Sequence, residues 1–281
     1  MTSKPASNHN IIFERIDDNN IPEFSIVVPV YNQENIIVKN LQSIIDYTVG
    51  TFELIIIIDS CSDNTEKLIM EWIKKNNNIQ TRIAKSIIPL FETSADNVGF
   101  RMSRGEYCLE IQADMEMTEK GFNNILKRGF QYNNVIGVSG RCCHTFNEDK
   151  IIGRGGGDIT KPYDRSLKQD IFYVNETVNR GPLLLDRKKL MEMDYLDEEN
   201  FYQENSDHDL FARAWVQKGW ICGYIPIDFN SPLESGSTRK PRDPINNYYL
   251  QEKRRKCIGG FLKKYMMNYK QRQPYTLSLK L

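Results

Sequence analysis

The chain has 281 residues, 40% of them apolar and 26% charged, with 37 Lys and Arg set against 37 Asp and Glu. Such a composition supports a buried core and excludes a disordered or fibrous protein, and a formal net charge of zero excludes a chain that holds nucleic acid through bulk positive charge. The balance hides an asymmetry, because residues 239–281 carry 12 Lys and Arg against 2 acids, leaving 25 against 35 in the rest. Residues 1–22 are polar and lack the apolar stretch of a secretory signal. No apolar run approaches the ~18 residues of a membrane-spanning helix, so a cytoplasmic protein is expected. The six cysteines include no CxxC pair and read as reduced thiols. The Asn-Glu-Thr at Asn175 is a sequon that stays idle in that compartment.

Phe24 to Val30 (FSIVVPV) is an unbroken apolar, β-branched run, the pattern of a strand buried on both faces of a parallel sheet. Ile37, Leu41, Ile44 and Ile45 follow at helical spacing. Glu53 to Ile58 (ELIIII) predicts a second buried strand, then a polar turn, then a helix with Leu68, Ile69, Trp72 and Ile73 on one face. Asp63, with Glu66 three residues on, predicts a capping box with Asp63 as the N-cap. A third strand is expected within 81–90, a helix over Ser94–Arg104 and a fourth strand over Glu106–Ile111. Residues 145–180 read as irregular and include the Gly-rich RGGGD at 154–158, which matches no phosphate-loop spacing. Helices near Asp186–Met193 and Asp207–Lys218, a strand over Trp220–Ile225 and a mobile loop followed by a basic, Tyr-rich tail complete the chain.

Alternation of this kind predicts a doubly wound α/β sheet, in which ligands lie beyond the carboxyl ends of the strands. The residues to watch are therefore Tyr31 to Glu34, Asp59 to Asp63 and Gln112 to Glu116. Asp114 and Glu116, two apart at a strand end, can both approach a hard divalent cation if the chain turns there; Mg²⁺ or Mn²⁺ in such a setting is completed by substrate phosphates. The stretch 191–209 holds eight Asp and Glu and no Lys or Arg, a composition usual for a solvated face.

The ordered set FSIVVPVYNQE (24–34), ELIIIIDSCSDNT (53–65), ADNVGFRMSRGEY (95–107), IQAD (111–114) and SDHDLFARAWVQKGW (206–220) resembles the family-2 inverting glycosyltransferases of GT-A fold. The resemblance implies a nucleotide-diphosphate sugar as donor, a UDP-sugar being the expectation, a glycan or lipid-linked hydroxyl as acceptor, and Mn²⁺ or Mg²⁺ as cofactor. It implies that Pro29 and Tyr31 wall the nucleotide base, that Glu34 matches a frequent acid there, and that Asp59 accepts a hydrogen bond from the base ring. Ile58 stands where the family has the first Asp of its D-D-G-S turn, and Asp96 where an Arg is common. In the metal motif Gln112 replaces the first Asp of D-x-D and is suited to a ribose hydroxyl; Ala113 follows it in the donor-contacting stretch, and Asp114 is the expected metal ligand, with Glu116 beside it. Asp207 matches the general base, whereas Asp209 reads as structural or as a helix N-terminal charge. His208 is open to three readings: a metal ligand, a phosphate contact, or a polar residue at a helix start. The departing diphosphate calls for cations, for which the loops at Arg180 and at Ser235 to Arg239 are candidates.

The expected organisation is a polar extension over 1–22, a GT-A domain over 23–230 divided into a nucleotide-binding half (23–117) and an acceptor half (118–230), and a flexible loop and basic tail over 231–281. The activity expected is a hexosyl or N-acetylhexosaminyl transfer, with no nucleic-acid partner and with peripheral membrane contact through the basic tail. The alternative is a non-catalytic nucleotide- or glycan-binding protein that keeps the fold, a reading that Gln112 and Ile58 favour. A nucleotidyltransferase would need a Gly-rich, basic phosphate loop after the first strand, which is absent.

Overall fold

The computed structural model describes residues 9–140, 143–144, 151–152, 167–203, 205–231, 244–256 and 275–280. In chain order the elements of the first half are β1 (His9–Arg15), β2 (Phe24–Val30), α1 (Ile37–Tyr47), β3 (Phe52–Asp59), α2 (Thr65–Lys75), β4 (Gln80–Ser86), α3 (Phe91–Met102), β5 (Tyr107–Glu110) and β6 (Glu116–Met117). The second half adds α4 (Phe122–Lys127), β7 (Val135–Ser139), β8 (Cys143–His144), β9 (Ile151–Ile152), β10 (Ile171–Asn175), β11 (Thr177–Val178), β12 (Leu183–Asp186), α5 (Arg187–Glu192), α6 (Ser206–Lys218), β13 (Ile221–Tyr224), β14 (Phe229–Asn230), α7 (Pro244–Lys256) and β15 (Tyr275–Ser278).

Ten strands form one mixed sheet in the order β1-β4-β3-β2-β5-β12-β7-β13-β10-β15. Among these ten strands, β1, β12 and β10 run against the other seven. The unbroken apolar runs have their cause in this layering. Successive strand residues point to opposite faces, so Ile26, Val28, Ile56 and Ile58 pack with α1 and α2, while Val27, Ile55 and Ile57 pack with α3 and α6. Both faces are covered, and neither strand has a solvent side to alternate toward. Register is uninterrupted from Phe24↔Phe52 to Val30↔Ile58, and Asp59 pairs with Ser86. The strand ends therefore lie level, and the turns after β2, β3 and β5 emerge along one edge. Helix α3 lies close on β2 because residue 99 is glycine: a Cβ there would fall inside van der Waals distance of Val27.

Several expectations need correction. Helix α3 starts at Phe91 rather than Ser94. Asp63 does not cap α2, whose N-cap is Asn64; its carboxylate accepts the N–H of Thr65, two residues on, at 3.0 Å and reaches across to the N–H of Glu34 at 3.1 Å, a local turn bond competing with the cap. The stretch 145–180 is not irregular throughout, since β10 and β11 lie in it. Nor does the folded unit stop at 230: α7 is a helix, and β15 pairs antiparallel with β10 from Ile171↔Ser278 to Val174↔Tyr275, burying Leu279 in the core. Backbone hydrogen bonding recruits β15 to the edge, which low hydropathy does not reveal. The RGGGD at 154–158 and the loop Ser235 to Arg239 lie outside the described residues.

Candidate active site

A single pocket gathers residues from three strand ends. Pro29, Val30, Tyr31 and Gln33 enter from β2, Asp59 from β3, and Gln112, Ala113 and Asp114 from the turn after β5. Helix α3 contributes Phe91, Glu92 and Ala95, and two distant residues, Gln203 and Asn246, complete the wall.

The turns are stitched together by their own side chains. Asn32 Oδ1 accepts the N–H of Ser62 at 2.8 Å, Thr65 Oγ1 accepts that of Gln33 at 2.7 Å, and Glu34 Oε2 accepts that of Asn64 at 3.0 Å. Glu34 thus braces the loop and does not line the pocket. Asp59 spends one oxygen on the Leu90 N–H at 2.7 Å and the other on the Phe91 N–H at 2.9 Å. That bidentate anchor holds the entry to α3, where Phe91 has φ of +60°, and so sets the position of Phe91 and Glu92. Below Asp114 the chain turns, with Met115 N–H donating to the Gln112 carbonyl at 3.0 Å, and Asn40 of α1 donates to the carbonyls of Gln112 and Met115. Gln112 Nε2 donates to Glu92 Oε1 at 2.8 Å, which fixes the amide.

Behind Glu92 lies a buried charge cluster. Arg180 pairs with Asp96 at 2.7 Å and with Glu92 at 3.4 Å, stands 3.8 Å from Asp207, and donates to Ser206. Glu110, 1% exposed, faces the same group. One guanidinium cannot neutralise four carboxylates, and their proton affinities split accordingly. Burial raises Glu92, opposed by Arg180 and reinforced by Asp207. Burial likewise pushes Asp96 up to about 8 against the pull of Arg180, and raises Glu110 well above the carboxylate range, with Asp96 adding to it. Asp207 goes the other way. Burial works to raise it as well, but attraction to His208 and Arg180 and the N–H groups of His208 (2.9 Å) and Arg180 (3.1 Å) hold it below its ordinary value. One carboxylate is held below its ordinary proton affinity while its three neighbours are raised above theirs.

Of the residues singled out in the sequence, Pro29, Tyr31, Asp59, Gln112, Ala113 and Asp114 line the pocket together; Glu34, Glu116, Arg180, Asp207 and His208 do not. Arg239 lies outside the described residues. Glu116 is carried away from Asp114 by the turn, onto β6, where it pairs with Lys39 at 2.8 Å. His208 Nε2 lies 3.2 Å from Asn179 Oδ1. Among the described residues no three His, Cys, Asp or Glu side chains stand where they could share a metal ion, so Asp114, Glu116 and His208 form no ready-made cage. Asp114 is one of three carboxylates that line the pocket, with Asp59 and Glu92, and a cation arriving with a diphosphate needs one or two protein carboxylates, the rest of its shell being phosphate oxygen and water. Sequence reasoning missed Glu92, Gln203 and Asn246. Glu92 alone had a signal, an acid in the first turn of the helix that follows β4, whereas Gln203 and Asn246 reach the pocket only through tertiary packing.

Residues 25–192 match the family described as "Glycosyl transferase family 2". The minor teichoic acid biosynthesis protein GgaB of Bacillus subtilis (strain 168) is 28% identical over 120 residues, covering 41% of this chain and 13% of that protein. A dolichyl-phosphate beta-glucosyltransferase of Dictyostelium discoideum is 28% identical over 140 residues, 46% of this chain and 43% of its own. The chain thus spans less than half the length of either relative. Among solved structures, the mannosyltransferase PcManGT from Pyrobaculum calidifontis in complex with GDP-Man and Mn²⁺ superposes with a TM-score of 0.62 at 13% identity, over 90% of this chain and 67% of that one. GalNAc-T7 with UDP, GalNAc and Mn²⁺ gives 0.61 at 16% identity, over 83% and 48%. At such identity the likeness is one of fold.

Proposed function

The chain belongs to glycosyl transferase family 2 and has the GT-A fold, and from that premise we propose that it moves a hexosyl or N-acetylhexosaminyl group from a UDP-sugar to a hydroxyl of a glycan or lipid-linked acceptor, with inversion at the transferred carbon. The observation that carries this reading is the convergence of Tyr31, Asp59, Gln112 and Asp114 from three strand ends on one pocket. Pro29, Tyr31 and Asp59 form the base end, and Gln112, its amide fixed by Glu92, turns its carbonyl oxygen to a ribose hydroxyl. Residues 23–117 act as the nucleotide half and 118–230 as the acceptor half. Asp114 would hold Mn²⁺ or Mg²⁺ from the protein side, and the ion would supply positive charge against the negative charge that grows on the leaving group.

Asp207 is the general base. Its lowered proton affinity keeps it ionised, as a proton acceptor must be, while Arg180 and its own backbone contacts hold the carboxylate in one orientation. As the acceptor oxygen forms its bond to the sugar carbon, the bond from that carbon to the diphosphate breaks on the opposite face. The hydroxyl proton passes to Asp207 and the electron pair leaves with the nucleoside diphosphate.

A second reading, a non-catalytic binder on the same fold, is favoured by Gln112 and Ile58, which stand where the family has carboxylates. Two measurements separate them. Nucleotide release from a panel of UDP- and GDP-sugars, with and without Mn²⁺, should be metal-dependent for one donor, and the product should carry the inverted configuration by NMR. Asp114→Asn should abolish metal-dependent UDP binding in calorimetry while the fold survives. Tight nucleotide binding with no turnover on any donor would favour the binder.

A further inference from the structure

We infer that Glu92 is a positioning residue that joins the donor pocket to the general base, so that a disturbance at Gln112 reaches Asp207 through Arg180; the inference rests on the roles given to those residues above. Glu92 stands half-buried in the first turn of α3, its backbone placed by the Asp59 anchor on Leu90 and Phe91. One oxygen of its carboxylate serves two partners. Glu92 Oε1 accepts the Gln112 amide at 2.8 Å and lies 3.4 Å from Arg180 Nη1. Arg180 carries the connection onward. Its backbone N–H donates to Asp207 Oδ2 at 3.1 Å, its Nε lies 3.8 Å from the same oxygen, and its guanidinium donates to Ser206, directly before Asp207. The segment also meets Gln112 from the other side, since a Cβ on Gly181 would lie 2.9 Å from Gln112 Cγ.

These contacts close a ring, from Gln112 to Glu92 to Arg180 and back through Gly181, with Asp207 held at the Arg180 corner. Each member is buried or half-buried, where a polar contact left unmade is costly and close packing passes a displacement on to its neighbours. Glu92 comes from α3 and Gln112 from the turn after β5, whereas Arg180 precedes β12 and Asp207 opens α6. The ring therefore bridges the segment that lines the donor pocket and the segment that carries the base. Asp96 still pairs with Arg180 at 2.7 Å, so removing the Glu92 carboxylate takes one restraint from Gln112 and one from Arg180 without stranding the guanidinium. The outcome is a displaced Asp207 in a folded chain.

The test measures UDP binding by calorimetry and UDP release at saturating UDP-glucose or UDP-N-acetylglucosamine, all with Mn²⁺. The full chain, Glu92→Ala and Glu92→Gln are compared, each with and without Asp207→Asn. Glu92→Ala should weaken UDP binding about fivefold, as expected for one polar contact, and should lower turnover at saturation about tenfold, as expected when a reacting group is slightly misplaced. Glu92→Gln keeps an acceptor oxygen in the same place and should restore most of both. With Asp207→Asn already present, the binding loss should persist while turnover falls no further, because the path to the chemistry runs through Asp207. Should the alanine variant fail to fold, Glu92→Asp, too short to hold both partners, takes its place with the same two losses expected. Wild-type turnover in Glu92→Ala overturns the inference, as does a turnover loss of equal size in the Asp207→Asn background, which would make Glu92 independent of the base. Full turnover in Asp207→Asn overturns the base reading instead. A wild-type chain that binds UDP but releases it from neither sugar overturns the transferase reading, and one that binds no UDP overturns the donor reading.

Discussion

Asp207 and Asp209 are two residues apart on one helix and have opposite fates. Asp207 is held by backbone N–H groups beside the pocket, whereas Asp209 is fully buried and pairs with Arg213 at 2.6 Å, a guanidinium that also donates to the carbonyls of Met193 and Tyr195. Asp207→Asn should lower transfer by ~10²–10⁴ while leaving nucleotide binding near wild type, with some loss of melting temperature because the carboxylate's charge is held by Arg180 and His208. Asp209→Asn leaves the half-buried guanidinium of Arg213 short of its charge partner and should cost about 1–3 kcal/mol of stability, read by denaturant unfolding, with turnover per folded molecule retained. If Asp207→Asn keeps full turnover, the base lies elsewhere. Asp96 offers a different test. Its proton affinity is raised from 3.8 to about 8, so between those values the native state binds more protons than the unfolded chain, and stability falls as pH rises through the window. Asp96→Asn should therefore shrink the drop in melting temperature between pH 5 and pH 8. An unchanged drop would show that Asp96 titrates normally.

The seating of α3 on β2 decides where the pocket floor lies. Gly99→Ala adds a methyl group against Val27, whose β-branched side chain has little freedom to move away. Helix propensity returns up to ~1 kcal/mol, but overpacking costs typically ~1–3 kcal/mol, so net destabilisation is expected, together with weaker nucleotide binding as Glu92 shifts. A variant as stable as wild type would mean that α3 can ride outward freely. Elements with a strong period were legible in the sequence. The apolar runs of β2 and β3 and the 3–4 spacing in α1 and α2 are written in adjacent residues, and so is the convergence of Tyr31, Asp59 and Asp114, because a parallel sheet brings strand ends to one edge. Contacts that depend on closure in space were not legible. Nothing near Asp59 announces that its oxygens are taken by Leu90 and Phe91, and nothing in the polar run around Asn246 marks it as buried. Helix α7 and strand β15 escaped because their polar composition hides the backbone pairing and the few buried side chains, Asn246, Leu250 and Leu279, that hold them.

Across the whole molecule, β1 and β15 occupy the two borders of the sheet. Deleting residues 275–281 should strip the hydrogen-bonding edge of β10 and the buried side chain of Leu279, costing about 2–5 kcal/mol for the side chain alone, and should leave an open strand that promotes self-association. Calorimetry and light scattering would detect both, and a truncated chain with wild-type melting temperature and no association would count against β15 as a structural strand. The strand order also has a temporal side. Strands β1 to β5 close among themselves using residues 9–110, but β12, which adjoins β5, comes from residues 183–186, and α7 ends at 256. At ~5–20 residues per second, synthesis from residue 110 to residue 256 takes roughly 7–29 s. During translation the strands whose ends carry Tyr31, Asp59 and Asp114 can assemble on the ribosome well before the carboxylates of α6 and the amide of Asn246 have been made.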